Sequence, residues 1–459
     1  MPVTMNQKRP KIVVIGSGIG GAAIAALLSH RGCEVAVVEK LGFIGGRCCS
    51  RERDGFTIDL GVHTFSQSGA GPLGEVLRIC GRGDLLQWSY TTNPTQKLNY
   101  LGTLIEYPKG LGLLGVDPEE YRRIVGVIVA MPGDRIAALN HTSLRDWLNR
   151  QTVDPVLHAI FAYIAELYFV VPYWDASAGE FIRSMQAQAR KRASGYPVGG
   201  CRKIPQSYLD VVTACGNTVR TGTPVKQILI DQGRSMGVQL HSGEILQADL
   251  VISNTDPKTT VLQLVGEEHF PAEYVSRIRN LRYSPAACVL KLALRKKITQ
   301  EKFIMYISHP DPMEYYSRIE RGDIPEKVNL MVPVVSNLDP GTAPEGHQLI
   351  IAGTFPAISP DEEAWHRAVM RSVEEVFPDI REHILFTERT HSQEVEALMG
   401  EGGGIIGLAQ TTNQVGEKRL PQNTPIPNLY LVGGEAGGWG IGTELAANSA
   451  LELNSMITL

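Results

Sequence analysis

At 459 residues, with 43% apolar and 20% charged residues and a formal net charge of −4, the chain is too long for one compact core. It is also too balanced for disorder or for a generally basic nucleic-acid surface. Its seven cysteines, an odd number without CxxC spacing, predict reduced thiols, neither a disulfide framework nor a cysteine metal site, and a cytoplasmic setting.

In chain order, residues 11–15 (KIVVI) form a short β-branched run, GSGIGG follows, and an Ala-rich segment reaches His30 before Arg31-Gly32. This reads as strand, tight turn, helix and C-cap. A second strand, CEVAVVEK at 33–40, carries Glu39 near its end, so the first forty residues spell a βαβ unit without its last partner and predict a parallel sheet. The apolar stretch 11–28 follows Lys8, Arg9 and Lys11, as a leader would, but its glycine spacing argues for the turn instead. Residues 81–195 read as an inserted, mostly helical region. Its most apolar run, 159–171, is shorter than the roughly 20 residues of a membrane span and carries Glu166, so no transmembrane helix is expected. From 217 strands separated by Gly-containing turns predominate, a mixed segment runs 262–400, and NLYLVGGE at 428–435 reads as a buried parallel strand leading to the last helix.

In Gly16-x-Gly18-x-x-Gly21, with Ser17 and Gly20 between, the first glycine permits the tight turn. The second lets backbone approach a pyrophosphate, and the third lets helix pack on strand. The helix amides then face the phosphates. Glu39, 23 positions after Gly16 and beside Lys40, is placed to accept hydrogen bonds from ribose hydroxyls. The motif predicts an ADP-binding site and leaves nicotinamide and flavin equally open. A second match, Gly402-x-Gly404-x-x-Gly407, follows a helical pattern rather than a strand and reads as a turn cluster.

GFIGGRCCS at 42–50 adds Gly45, Gly46 and Arg47, and RDGFTIDLGVH follows at 53–63. With these residues the chain resembles the flavin amine oxidase and phytoene desaturase superfamily, and its desaturase and carotenoid-isomerase branch more than the amine oxidases. The likeness continues through YPVGG (196–200), GNTVRTGTPVKQI (216–228), GEILQADLVISNTDP (243–257), GGGIIGLAQTTNQ (402–414) and TPIPNLYLVGGE (424–435). It is weakest in 81–190 and 262–400.

That resemblance implies an α/β fold of the glutathione-reductase and amine-oxidase kind. A Rossmann-like FAD-binding domain with a parallel sheet would comprise 1–80, 191–261 and 402–459. An inserted α+β substrate domain would comprise 81–190 and 262–401, with a helical part facing substrate or membrane. FAD is the implied cofactor, non-covalent because no cysteine lies in the terminal segment. Gly45, Gly46 and Arg47 would lie near flavin and pyrophosphate, Val225 near adenine, Glu435 on the ribityl chain, and Asn254 in the same site. Gly433, Gly434, Gly437, Gly438, Gly440 and Gly442 would let backbone pass a flat ring. Gly442, Thr443, Glu444 and Leu445 open a helix whose positive end suits a reduced flavin's pyrimidine edge.

The implied reaction is desaturation or isomerisation of C–C bonds in an apolar, isoprenoid- or lipid-like substrate, with the electron acceptor left open. Where desaturases show a His-Pro-Gly-Gly-Gly type run, this chain has EAGGWGIG, so a smaller terpenoid, another lipid or a polyketide-like compound also remain open. Two residues are singled out for catalysis. His63 is read as a base or a strand cap, and Trp439 as a group stacking beside the ring or blocking one face. Aromatic residues of 159–174 (Phe161, Tyr163, Tyr168, Phe169, Tyr173, Trp174) could line a channel or form ordinary core. Lys291 lies near the position of the amine oxidases' flavin lysine and reads as a solvent-facing strand residue. Cys48-Cys49 reads as packing, because vicinal cysteines bridge only with strain. An FAD-dependent oxidase of an amine or porphyrinogen is the alternative enzyme. A non-enzymatic prenyl-binding protein of the same fold is disfavoured because Gly16, Gly18, Gly21 and Glu39 are all present. The substrate class further implies peripheral membrane contact through the 110–190 insertion.

Overall fold

The computed structural model describes residues 9–90, 96–355, 360–390, 392–400 and 404–458. Strand Lys11–Ile15 pairs in parallel with Glu34–Val38 on one side and Leu250–Ser253 on the other. Thr218–Arg220 and Leu429–Leu431 complete a five-stranded, all-parallel sheet. The chain therefore returns to this sheet from three stretches separated by more than a hundred residues. Helix Ile19–His30 is buried from Ile19 to Ser29, which is why its sequence is mostly Ala, Gly, Ile and Leu. It is packed by helices Lys203–Ala214 and Gly442–Met456, and small residues let three helices and a sheet approach closely.

A second, seven-stranded sheet contains, in spatial order, Ile384–Thr390, Cys288–Leu294, Gln348–Thr354, Leu330–Pro333, Phe303–Ile307, Gln96–Tyr100 and Thr103–Tyr107. All its pairings are antiparallel except Phe303–Ile307 with Gln96–Tyr100. Five helices, Pro118–Ala130, Gly133–Ala138, Leu144–Leu148, Pro155–Phe169 and Ala178–Lys191, follow the edge hairpin. Among the described residues no helix is long and apolar enough to cross a membrane.

The sequence expectation of a mostly helical 81–195 is corrected at its start. Gln96–Tyr100 and Thr103–Tyr107 form a hairpin that buries Leu98, Tyr100, Ile105 and Tyr107. Leu101 and Gly102 both adopt positive φ (51° and 89°), the condition for a two-residue turn matching strand twist. Lys291 is corrected too. Its strand is paired on both sides and buried along all seven residues, so the lysine is 1% exposed rather than solvent-facing.

Candidate active site

A cavity of ≈ 1700 Å³ runs from the first βα turn, at the carboxyl end of the parallel sheet, into the space beside the seven-stranded sheet. At its polar end, Gly16 takes φ +94° and its N–H bonds Val38 O at 2.8 Å, turning the chain into the helix N-terminus. No acidic residue occupies that helix's first turn, so its positive end meets the cavity unneutralised by its own side chains.

Glu39 is 5% exposed and lines the cavity. One carboxylate oxygen accepts from Ser17 N and Ser17 Oγ, both at 2.8 Å, and the other accepts from Leu41 N at 2.9 Å. The side chain is thereby locked with lone pairs to spare for hydroxyl donors. Gly18, Gly20, Lys40, Gly45, Gly46, Val225, Gly434, Gly442, Thr443 and Glu444 line the same cavity. So do Arg47 and Glu435, which form an ion pair with each other.

Other expected site residues serve the scaffold. Ser17 is fully buried behind Glu39, and Gly21 N donates to Asn254 Oδ1 at 2.7 Å. Asn254 touches the cavity, yet its amide also donates to Val432 O at 2.9 Å, so it staples the first turn to the terminal glycine run. Leu445 is 1% exposed and does not line the cavity.

Trp439, expected to stack beside a ring or block one face of it, does not line the cavity. Gly437, Gly438 and Gly440 adopt φ of +60°, +66° and +115°, a conformation that glycine takes without strain. The glycine run is divided between cavity and packing. Only Gly434 and Gly442 line the cavity. A side chain on Gly437 would strike Gln422 Cγ (2.5 Å), and one on Gly438 would strike Ser449 N (2.7 Å), so those glycines serve internal packing.

His63 lines the cavity with its ring stacked 6.0 Å from Phe65. Burial pushes its pKa below the ordinary value against the pull of Asp59, whose Oδ2 lies 4.0 Å from Nδ1. The ring is a neutral imidazole near pH 7. Close by, Lys291 Nζ donates to Thr390 Oγ1 at 2.6 Å, and Thr390 reaches the cavity.

Two expected groups and one that the sequence reading missed, Asp256, complete the polar lining. Glu444 accepts from Ser66 Oγ (2.7 Å), Gln67 N (2.7 Å) and Gln67 Nε2 (3.1 Å), while burial raises its pKa. Tyr168 OH donates to Gln188 Oε1 at 2.5 Å in the cavity wall. Asp256, 8% exposed beneath the turn region, is pushed up to about 6 by burial. Of the aromatic run, Tyr168 alone lines the cavity; Phe161, Tyr163, Phe169 and Tyr173 are core. Beyond the polar end the lining includes the apolar residues Val125, Val129, Ile164, Leu167, Met185, Phe303, Met305, Met331 and Phe355, with Gln96, Gln188, Arg190, Arg192, Gln300, Glu301 and Lys302 as further lining residues.

The donor set fits an adenine dinucleotide: helix-end amides for phosphates, a locked carboxylate for ribose, glycine-flanked backbone, and an apolar continuation of the same space. All seven cysteines are unbridged. Gly402 of the second glycine cluster lies outside the described residues; Gly404 and Gly407 are in a turn.

The family described as flavin containing amine oxidoreductase matches residues 19–452. The chain is 26% identical to a zeta-carotene-forming phytoene desaturase of Myxococcus xanthus, covering 92% of this chain and 89% of that protein. It is 25% identical to a 4,4'-diaponeurosporene oxygenase of Staphylococcus haemolyticus, covering 94% and 93%. Among solved structures it is similar to an oxidoreductase from Methanosarcina mazei, with TM-score 0.76, 22% identity and coverage of 97% and 100%.

Proposed function

This chain belongs to the flavin containing amine oxidoreductase family, and from that premise we propose that it is an FAD-dependent oxidoreductase that desaturates or isomerises C–C bonds of an apolar, isoprenoid-like substrate. The observation that carries the proposal is the single cavity joining the Gly16–Glu39 turn to an extended apolar wall. Bound non-covalently, FAD supplies a two-electron acceptor for a C–H bond of the substrate.

The chain's own residues supply the rest. Ile164, Leu167, Met185, Met305 and Phe355 hold a substrate without polar handles and exclude water. His63, kept neutral by burial, is the group placed to take the proton that leaves the adjacent carbon. Arg47 and Glu435, paired across the cavity's polar end, hold the cofactor's charged portion in register.

The purified protein should be yellow, and anaerobic addition of phytoene in micelles should bleach the visible flavin band. Flavin that stays oxidised with phytoene and with shorter isoprenoid hydrocarbons alike defeats the proposal. One observation favours a second reading, oxidation of a polar substrate such as an amine. Lys291 is buried with its ammonium held by Thr390 at the cavity wall. Peroxide release with an amine and no reaction with isoprenoids would select it.

Membrane contact at the cavity mouth is part of the proposal. Helix Pro118–Ala130 turns Val125 and Val129 to the cavity, and Val129 is 42% exposed. Leu113, just before the helix, is 77% exposed. Apolar side chains at an entrance suit a lipid surface that delivers the substrate. In flotation with phospholipid vesicles a substantial fraction of the protein should rise with the lipid; protein wholly in the soluble fraction removes this element.

A further inference from the structure

Where Cys48 and His63 form the cavity wall, a third soft donor stands behind them. One ligating atom from each of Cys48, His63 and Cys201 lies within 4.8 Å of the other two. The three come from separate stretches: the turn after Gly45-Gly46, the segment returning from strand Phe56–Asp59, and the turn before helix Lys203–Ala214. Cys48 and Cys201 are 1% and 0% exposed.

Their present contacts are weak. Cys48 Sγ donates to Cys201 O at 3.3 Å, while Cys201 Sγ donates to Cys49 O at 3.3 Å and lies 3.6 Å from Ser50 Oγ. His63 Nδ1 is buried without a hydrogen-bond partner. Asp59, whose Oδ2 lies 4.0 Å from that nitrogen, is itself anchored by Ser50 Oγ (2.7 Å), Tyr196 OH (2.5 Å) and Cys201 N (3.1 Å). Buried thiols alone are ordinary packing. Two thiols converging with an imidazole are a ligand set, and ligation through Nε2 leaves Nδ1–H facing the fixed Asp59 carboxylate, the kind of partner that orients a metal-binding histidine.

We propose that Cys48, Cys201 and His63 bind a thiophilic cation of the zinc class, with Asp59 supporting the imidazole and the fourth position open to the cavity. Tetrahedral zinc places sulfur and nitrogen ligands about 3.5–3.8 Å apart, so the three donors need to close by only about 1 Å. Binding exchanges the two thiol protons for Zn²⁺: two S–H bonds break, two Zn–S bonds form, and two protons leave to solvent. The bound set of one dication, two thiolates and a neutral imidazole carries no net charge, which suits a desolvated position. A cation held there pins the three stretches together and takes an imidazole lone pair, so it closes His63 to proton transfer. The site stands on these residues whether or not the proposed reaction is correct.

The test is titration of flavin-loaded, metal-stripped protein with Zn²⁺ under a non-thiol reductant, in competition with a chromophoric chelator and with proton release followed in weak buffer. One equivalent should bind with release of about two protons. Cys48→Ser, Cys201→Ser and His63→Ala should each abolish competition, Asp59→Asn should weaken it about 10–100-fold, and Cys49→Ser should behave as wild type. Melting curves and flavin content of each variant without zinc separate lost ligands from lost fold. If a cysteine variant does not fold, His63→Ala and the wild-type proton count decide. Wild-type protein that competes no better than His63→Ala, or that binds zinc without releasing protons, overturns the site.

Discussion

Replacing Gly20 with alanine should yield protein that carries almost no flavin and melts well below wild type. An alanine Cβ at Gly20 would sit 2.6 Å from Gly433 Cα and 2.9 Å from Gly433 N. Both neighbours are backbone, so no side chain can swing aside. Relief requires the first helix or the terminal glycine loop to move, and those two segments bound the polar end of the cavity. Overpacking of a close-packed interior costs about 1–3 kcal/mol and more where backbone must shift. Gly42 is the control: a Cβ there meets nothing within 4 Å, so Gly42→Ala should stay within about 0.5 kcal/mol of wild type with full flavin content. The visible-to-ultraviolet absorbance ratio and the melting temperature of the two variants read both effects. A Gly20→Ala protein with wild-type flavin content would show that the contact between residues 20 and 433 is not needed for the site.

The largest expected effect on pH dependence belongs to Glu166, which lies on helix Pro155–Phe169 and is 1% exposed. Tyr316 OH and Asn329 Nδ2 donate to its Oε2, the latter at 2.9 Å. Burial pushes its pKa from 4.5 up to about 8, and those hydrogen bonds only partly oppose the shift. The folded chain therefore keeps a proton between pH 4.5 and about 8 that the unfolded chain releases. The stabilisation is complete below the unfolded pKa and is lost as pH rises through about 8. From pH 6.5 to 8 this one group should cost about 2 kcal/mol, at 1.36 kcal/mol per pH unit. The other buried titratable groups, Asp256, His63, Glu444 and the cysteines among them, contribute alike to wild type and variant. Glu166→Gln should flatten the pH dependence of the urea midpoint relative to wild type; parallel curves for the two proteins would refute the buried proton.

Much of this molecule was legible along the chain. KIVVIGSGIGG specifies a strand, a turn and a helix through β-branched residues and glycines a few positions apart, and they occupy Lys11–Ile15 and Ile19–His30. Glu39 stands at the end of the next strand for the same local reason. The hairpin at Gln96–Tyr107 was present in the alternation of Leu98, Tyr100, Ile105 and Tyr107 but was hidden among glycines and prolines. Lys291 was misread because a strand's pattern does not disclose that it has partners on both sides.

By itself, then, the sequence determined the nucleotide-type turn, the parallel sheet and the family, since each depends on spacing within tens of residues. Only the tertiary structure decided which glycines meet the cavity and which pack against Asn254, Gln422 and Ser449. It also moved Trp439 off the cavity, and it brought Glu444 to Ser66 and Gln67, and Cys201 to Cys48 and His63. The physical reason is distance along the chain. Residues 378 or 153 apart acquire a shared chemistry only when sheet pairing and helix packing have closed the long loops between them, and no local periodicity encodes that closure.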